Sequence, residues 1–281
     1  MSIDRVGVAG GGTMGAGVAH RLLVNGIEVV LVERDDIEAA NARERVIGGL
    51  ERAHERGYLA DEVEGVAGRL TVAGSLDAFA GLGFVIEAVP EQPELKRDLL
   101  GRIEPLLADN AVLATNTSSL SIDGIAASLQ RPGRFCGMHF FNPVPASDLL
   151  EIVRGTASEP GAVEAARELG ERLGLTTIEV DDAPGFATSR LGVALGLEAI
   201  RMVEDGVASA EDIDTAMRLG YKHPIGPLRL GDLVGLDVRL GIAEYLAAEL
   251  GPRFEPPKLL RDMVAEGKLG KKSGEGFFSW E

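Results

Sequence analysis

Residues Gly10-Gly11-Gly12-Thr13-Met14-Gly15 follow directly on an apolar run, Val6-Gly7-Val8-Ala9, and lead into a helical stretch from Ala16 to Val24. A second apolar run, Val29-Val30-Leu31-Val32, ends on a carboxylate, Glu33. Strand, glycine turn, helix, strand and acid in that order are the parts of a nicotinamide or flavin dinucleotide site. Gly10 permits the tight turn, Gly12 lets the backbone approach a pyrophosphate, and Gly15 lets the helix lie close to its strand. The start of the helix, around Thr13 and Met14, offers free N–H groups and the positive end of the helix dipole to the phosphates. Glu33 is placed to accept hydrogen bonds from the adenosine ribose. Its charge opposes a 2′-phosphate and so favours NAD over NADP. Arg34 beside it either accepts that phosphate or is a solvated surface residue.

A second group of residues lies further along. His139 stands near the end of the run Phe135 to Phe140, and strand ends are where ligands bind in sheets of this kind. An imidazole there is suited to take the proton of an alcohol as hydride leaves. The other histidines are less well placed: His20 is on the helix after the glycine turn, His54 is in a charged helix, and His223 adjoins Pro224. Glu151 follows His139 by twelve residues, past a turn at Pro143 and Pro145. A return on a neighbouring strand would bring its carboxylate onto the imidazole. Ser118, in Asn116-Thr117-Ser118-Ser119, follows the run Ala111 to Thr115. It reads either as a hydrogen-bond partner for a carbonyl or alcohol oxygen or as part of an ordinary capped turn.

The elements that must position these residues alternate strand and helix through the first half. Further strand-like runs are Phe84 to Val89 and Thr176 to Val180, and the charged stretch from Asp35 to Arg69 looks like an inserted helical pair. The pattern predicts an α/β class: a Rossmann-type doubly wound sheet followed by an all-helical C-terminal domain. The breaker cluster Asp181-Asp182-Ala183-Pro184-Gly185 divides residues 1–183, a nucleotide-binding domain, from residues 184–281. Beyond it two apolar stripes share one helix: Leu191, Leu195, Ala199 and Met202, and Val193, Leu197, Ile200 and Val203. So wide an apolar surface fits a core helix and also a helix shared with a second subunit. Ser209 with Glu211 and Asp212 reads as a capped helix start.

Composition narrows the function classes. The net charge of −16, from 28 basic and 44 acidic side chains, argues against nucleic-acid or anionic-membrane binding. No apolar run reaches the roughly 18 residues of a membrane span, and no signal-peptide pattern opens the chain. The single cysteine, Cys136, excludes an intrachain disulfide and fits a cytoplasmic protein. With one cysteine and four scattered histidines, no metal site is expected.

Several segments together resemble the L-3-hydroxyacyl-CoA dehydrogenase family, in particular its bacterial 3-hydroxybutyryl-CoA branch. They are Gly10 to Gly15, Val85 to Glu91, Thr115 to Leu120, His139 to Pro145, Pro184-Gly185-Phe186, Glu211 to Asp214, Gly226-Pro227, Asp232 to Asp237 and Gly270 to Phe277. They keep family order and spacing from end to end. The resemblance implies that His139 is the base, Glu151 its orienting partner, and Ser118 a contact to the reacting oxygen and the cofactor. It implies nucleotide contacts at Glu91, Lys96, Asn142 and Lys272, with NAD as the cofactor. It further implies a homodimer built through the helical domain and an acyl-CoA substrate lying against the inserted helices, where Arg52 and Arg56 would supply local positive charge. Two positions depart from the family. Ser189 stands where an asparagine is usual, four residues beyond Gly185, and Ala146-Ser147-Asp148 stands where a bulkier residue and a lysine are common. These leave the acyl length open. They also keep two other readings in view: a dehydrogenase of a free hydroxy acid, of sugar-acid or carnitine type, and a NAD-binding protein without turnover.

Overall fold

The computed structural model describes residues 3–280, which fall into two compact units divided between Ala183 and Pro184. The first unit holds eight strands: β1 (Arg5–Ala9), β2 (Glu28–Val32), β3 (Leu70–Ala73), β4 (Phe84–Glu87), β5 (Val112–Thr115), β6 (Phe135–Phe140), β7 (Leu149–Arg154) and β8 (Thr176–Asp181). Its helices are α1 (Thr13–Val24), α2 (Asp36–Glu55), α3 (Val63–Ala67), α4 (Pro93–Ile103), α5 (Ile122–Ala126) and α6 (Pro160–Arg172). The strands form one sheet in the order β3-β2-β1-β4-β5-β6-β7-β8. All neighbours are parallel except β6 and β7. Val29 to Val32 of β2 and Phe84, Val85 and Ile86 of β4 are apolar and buried, as a parallel sheet covered on both faces requires.

The chain runs from β1 outward to β3 and then returns to β4 on the other side of β1. That reversal makes a switch point, and the loops after β1 and β4 diverge there to leave a crevice at the strand ends. β3 lies outside the sequence expectation, and β7 is the neighbouring strand expected to return Glu151 to His139. The charged stretch after Asp35 folds as one long helix, α2, and only one turn of a second, α3. Asp35 caps α2, its carboxylate accepting from the Glu38 N–H at 2.9 Å, a contact worth about 1 kcal/mol. Ala39, Ala42, Val46 and Leu50 form the seam that α2 buries.

His20 on α1 lies 7% exposed, against Gly49 of α2. Burial, then the nearby Arg21, then Arg52 push its imidazole below the ordinary value, with the Gly49 backbone opposing them. The folded protein therefore keeps His20 neutral where the unfolded chain would bind a proton. The sign follows: stability from this group is intact above the unfolded value of about 6.5 and is lost as pH falls from there through the folded value. Melting temperature should fall between pH 7 and pH 5, and more steeply for the wild type than for His20→Gln. Parallel curves for the two proteins would remove His20 from the account.

The second unit is helical: α7 (Thr188–Glu204), α8 (Ala210–Gly220), α9 (Pro227–Val234), α10 (Leu236–Leu250) and α11 (Lys258–Ala265). Ser209 caps α8 by accepting from the Asp212 N–H. Buried Asp214 accepts from the first N–H groups of α9, at Leu228 and Arg229. Of the two stripes on α7, the one carrying Val193, Leu197 and Ile200 enters the unit's core, together with Ala199. Leu191 and Leu195 of the other remain 70% and 37% exposed. Buried Asp232 anchors the last residues, accepting from the Phe277 and Phe278 N–H groups and the Trp280 indole. Among the described residues no helix is long and apolar enough to cross a membrane.

Candidate active site

At the end of β1 the chain turns at Gly10, whose φ of 95° suits glycine. A Cβ on Gly15 would meet the Gly10 carbonyl oxygen at 1.8 Å, so α1 could not approach its strand with any other residue there. Beyond Gly12 lies open space. Gly12 and Thr13 are exposed at the start of α1, while Met14 packs partly against the core. The Glu33 carboxylate accepts from the Gly11 N–H at 2.7 Å, fixing the acid beside the glycine turn. Arg34 is directed to carboxylates, Glu38 at 3.1 Å and Asp35 at 3.4 Å. An exposed helix start, an open approach at Gly12 and a fixed acid are the donor set that a dinucleotide requires.

The second group forms at the far ends of β5 and β6. Because β6 and β7 run antiparallel in a register that sets His139 opposite Glu151, the two side chains share one face of the sheet. Imidazole Nδ1 lies 2.7 Å from Glu151 Oε2, with His139 7% exposed and Glu151 fully buried. A buried carboxylate at that nitrogen selects the tautomer that donates from Nδ1, which makes Nε2 the basic atom of the ring. Phe141 packs on the imidazole, with ring centroids 4.3 Å apart. Ser118 sits in the turn after β5, and its N–H donates to Glu91 Oε1 at 3.0 Å. The Asn116 side chain ties this turn to β6 by accepting from the Phe140 N–H at 3.0 Å.

The remaining expected residues are spread more widely. Asn142 is exposed just beyond β6. Lys96 does not present its ammonium at a surface: the side chain is 0% exposed and is engaged by Glu87, Glu91 and the Asn116 carbonyl. Arg52 and Arg56 are exposed, one turn apart at the end of α2. Ser189 and Lys272 belong to the second unit. Ser189 lies in the first turn of α7, and Lys272 pairs with Asp237 at 2.5 Å. Glu87, inside the segment Val85 to Glu91, was given no role from the sequence, because no glycine turn follows it to mark a ligand there.

Comparison with known proteins gives this geometry its context. Residues 5–183 match the 3-hydroxyacyl-CoA dehydrogenase NAD binding domain, and residues 185–280 match the C-terminal domain of the same family. A 3-hydroxybutyryl-CoA dehydrogenase of Mycobacterium tuberculosis is 41% identical over 99% of both chains. A probable 3-hydroxybutyryl-CoA dehydrogenase of Deinococcus radiodurans is 39% identical over 98% of this chain and all of its own. The crystal structure of an (S)-3-hydroxybutyryl-CoA dehydrogenase from Ralstonia eutropha superposes with a TM-score of 0.95 at 39% identity, covering both chains completely. With a NAD-binding sheet domain and a helical domain both matched along their length, the chain belongs to the 3-hydroxyacyl-CoA dehydrogenase family.

Proposed function

We propose that the protein interconverts short-chain L-3-hydroxyacyl-CoA and 3-ketoacyl-CoA, with 3-hydroxybutyryl-CoA as the leading substrate. The observation that carries the reading is the His139–Glu151 contact of 2.7 Å at the end of β6. Bound NAD supplies the hydride acceptor. His139 Nε2 takes the hydroxyl proton, and the Glu151 carboxylate holds the ring and stabilises the imidazolium. The Ser118 hydroxyl fixes the reacting oxygen. Arg52 and Arg56 give the acidic molecule a local positive patch for the phosphates of CoA.

The test is an NADH absorbance assay with acetoacetyl-CoA, longer 3-ketoacyl-CoAs and free 3-keto acids side by side. Turnover of the CoA esters alone supports the reading. Turnover confined to free acids replaces it with the free-acid dehydrogenase.

NADH should be preferred to NADPH by about tenfold or more in kcat/KM, since Glu33 opposes the extra phosphate and Arg34 is already paired with two acids. Equal or reversed values would mean that Arg34 leaves those acids for the phosphate. The proposal includes a homodimer through the helical unit, supported by the exposed apolar face of Leu191 and Leu195. It also includes a cytoplasmic setting, supported by the one cysteine, whose buried thiol is pushed up to about 12.

A further inference from the structure

Residues 141–148 join β6 to β7, so their path helps to set where His139 and Glu151 stand. The connection is seated on α1. Val144 is only 2% exposed, and it faces Gly17, where a Cβ would come within 3.0 Å of the Val144 Cβ. Any larger residue at position 17 would press the connection away from the helix.

One arginine fastens it there. Arg21, in the last turn of α1, donates from Nη1 to the Pro145 carbonyl at 3.2 Å and to the Ser147 carbonyl at 3.1 Å. Its Nε donates to the Leu173 carbonyl at 2.9 Å, and its Nη2 to the Gly174 carbonyl at 3.4 Å. Leu173 and Gly174 lie in the turn that leads into β8, the strand beside β7. The two connections also meet directly, where the Thr176 N–H donates to the Asp148 carbonyl at 2.8 Å. Four backbone carbonyls from separate parts of the chain thus share one guanidinium. The planar fork of arginine spans such a set, which the point charge of a lysine does not. Burial pushes the guanidinium below its ordinary value, and the charge of Asp148 opposes that. The anchored carbonyls belong to the stretch that enters β7 just ahead of Glu151, and the helix that carries the anchor begins at the glycine turn.

We propose that Arg21 is a positioning residue: it fixes the β6–β7 connection on the helix that leaves the glycine turn, so that His139 and Glu151 keep one alignment with each other. The inference rests on the roles given above to His139 and Glu151. Arg21 acts through the Pro145 and Ser147 carbonyls and not on the reacting atoms.

The test compares the wild type with Arg21→Met and Gly17→Ala by two readouts. The first is kcat at saturating NADH, on whichever 3-keto substrate the wild type reduces. The second is the proton NMR signal of the His139 Nδ1–H in nitrogen-labelled protein, which reports the contact to Glu151 with no substrate present. Failure of the acyl-CoA reading then shows in the substrate profile of the wild type, while failure of this inference shows only in the variants. Methionine keeps the apolar stem of Arg21 and removes the fork. Arg21→Met should lower kcat about tenfold or more, because a displacement of about 1 Å at a reacting group is costly, and should shift or broaden the Nδ1–H signal. Gly17→Ala leaves the arginine in place and presses on Val144 instead. It should lower kcat about threefold or more, with a change in the same signal. A lower melting temperature with kcat and the imidazole signal both at the wild-type level makes Arg21 a contact of the fold alone and overturns the proposal. A fall in kcat with the signal unmoved overturns it as well, and so does a moved signal with unchanged kcat. If Arg21→Met does not fold, Gly17→Ala decides alone by the same criteria.

Discussion

His139→Gln is expected to lower kcat by about a hundredfold to ten-thousandfold, the span of general acid–base catalysis, while NADH binding stays near wild type. Glutamine is close to imidazole in reach but has no titratable nitrogen. It can hydrogen-bond an alcohol oxygen without taking its proton, so the substrate is still positioned and the chemical step alone suffers. The His139 side chain lies on the sheet opposite Glu151 and under the Phe141 ring, and is not part of the glycine turn that receives the nucleotide. Fluorescence titration with NADH and steady-state turnover on acetoacetyl-CoA separate the two functions. A variant turning over near the wild-type rate would remove His139 as the base. Weakened NADH binding with normal turnover at saturation would move its role to the cofactor side.

The residues that place this chemistry differed in how far the sequence revealed them. The glycine turn was legible because its parts are local: Val6 to Ala9, Gly10 to Gly15 and Glu33 are all set by turn geometry and short-range periodicity. β6 was legible for the same reason, six buried residues in one run. β7 was foreseen only as the neighbouring strand that returns Glu151 to His139 and not as an apolar run, because Glu151 interrupts its pattern, Leu-Leu-Glu-Ile-Val-Arg. The residue that breaks the strand signal is the one the site uses, and functional sites are where local consistency is expected to fail. β3 is four residues long and follows a highly charged stretch, too short to show a period. Lys96 lies in a charged helix with acids on either side, so nothing local marks it as buried. Only the parallel register of β4 and β5, a long-range property, brings Glu87 and Thr115 together beneath it. On α7, local spacing identified both apolar stripes but could not say that the core of its unit takes Val193, Leu197, Ile200 and Ala199 and leaves Leu191 and Leu195 exposed.

Glu151→Gln should lower kcat by about a hundredfold or more while leaving the fold intact, by a route distinct from loss of the base. The substitution keeps shape and volume at a fully buried position, so packing against β6 and β8 is preserved. What changes is the partner of Nδ1, which lies 2.7 Å from the carboxylate. A carboxylate only accepts, so it holds the Nδ1–H tautomer. An amide can also donate, and the tautomer it then favours carries its proton on Nε2, where the substrate's proton has to go. Two losses therefore combine: fewer molecules have the basic nitrogen in place, and the imidazolium formed in the reaction has no negative charge beside it. Nitrogen NMR of the labelled histidine distinguishes this from a general loosening of the site. The expected result is a proton moved from Nδ1 to Nε2 in the variant, with NADH affinity unchanged. If the tautomer is the same in both proteins and kcat still falls, the carboxylate acts by its charge alone. If neither changes, Glu151 is a buried structural acid and the pairing with His139 has no part in the reaction.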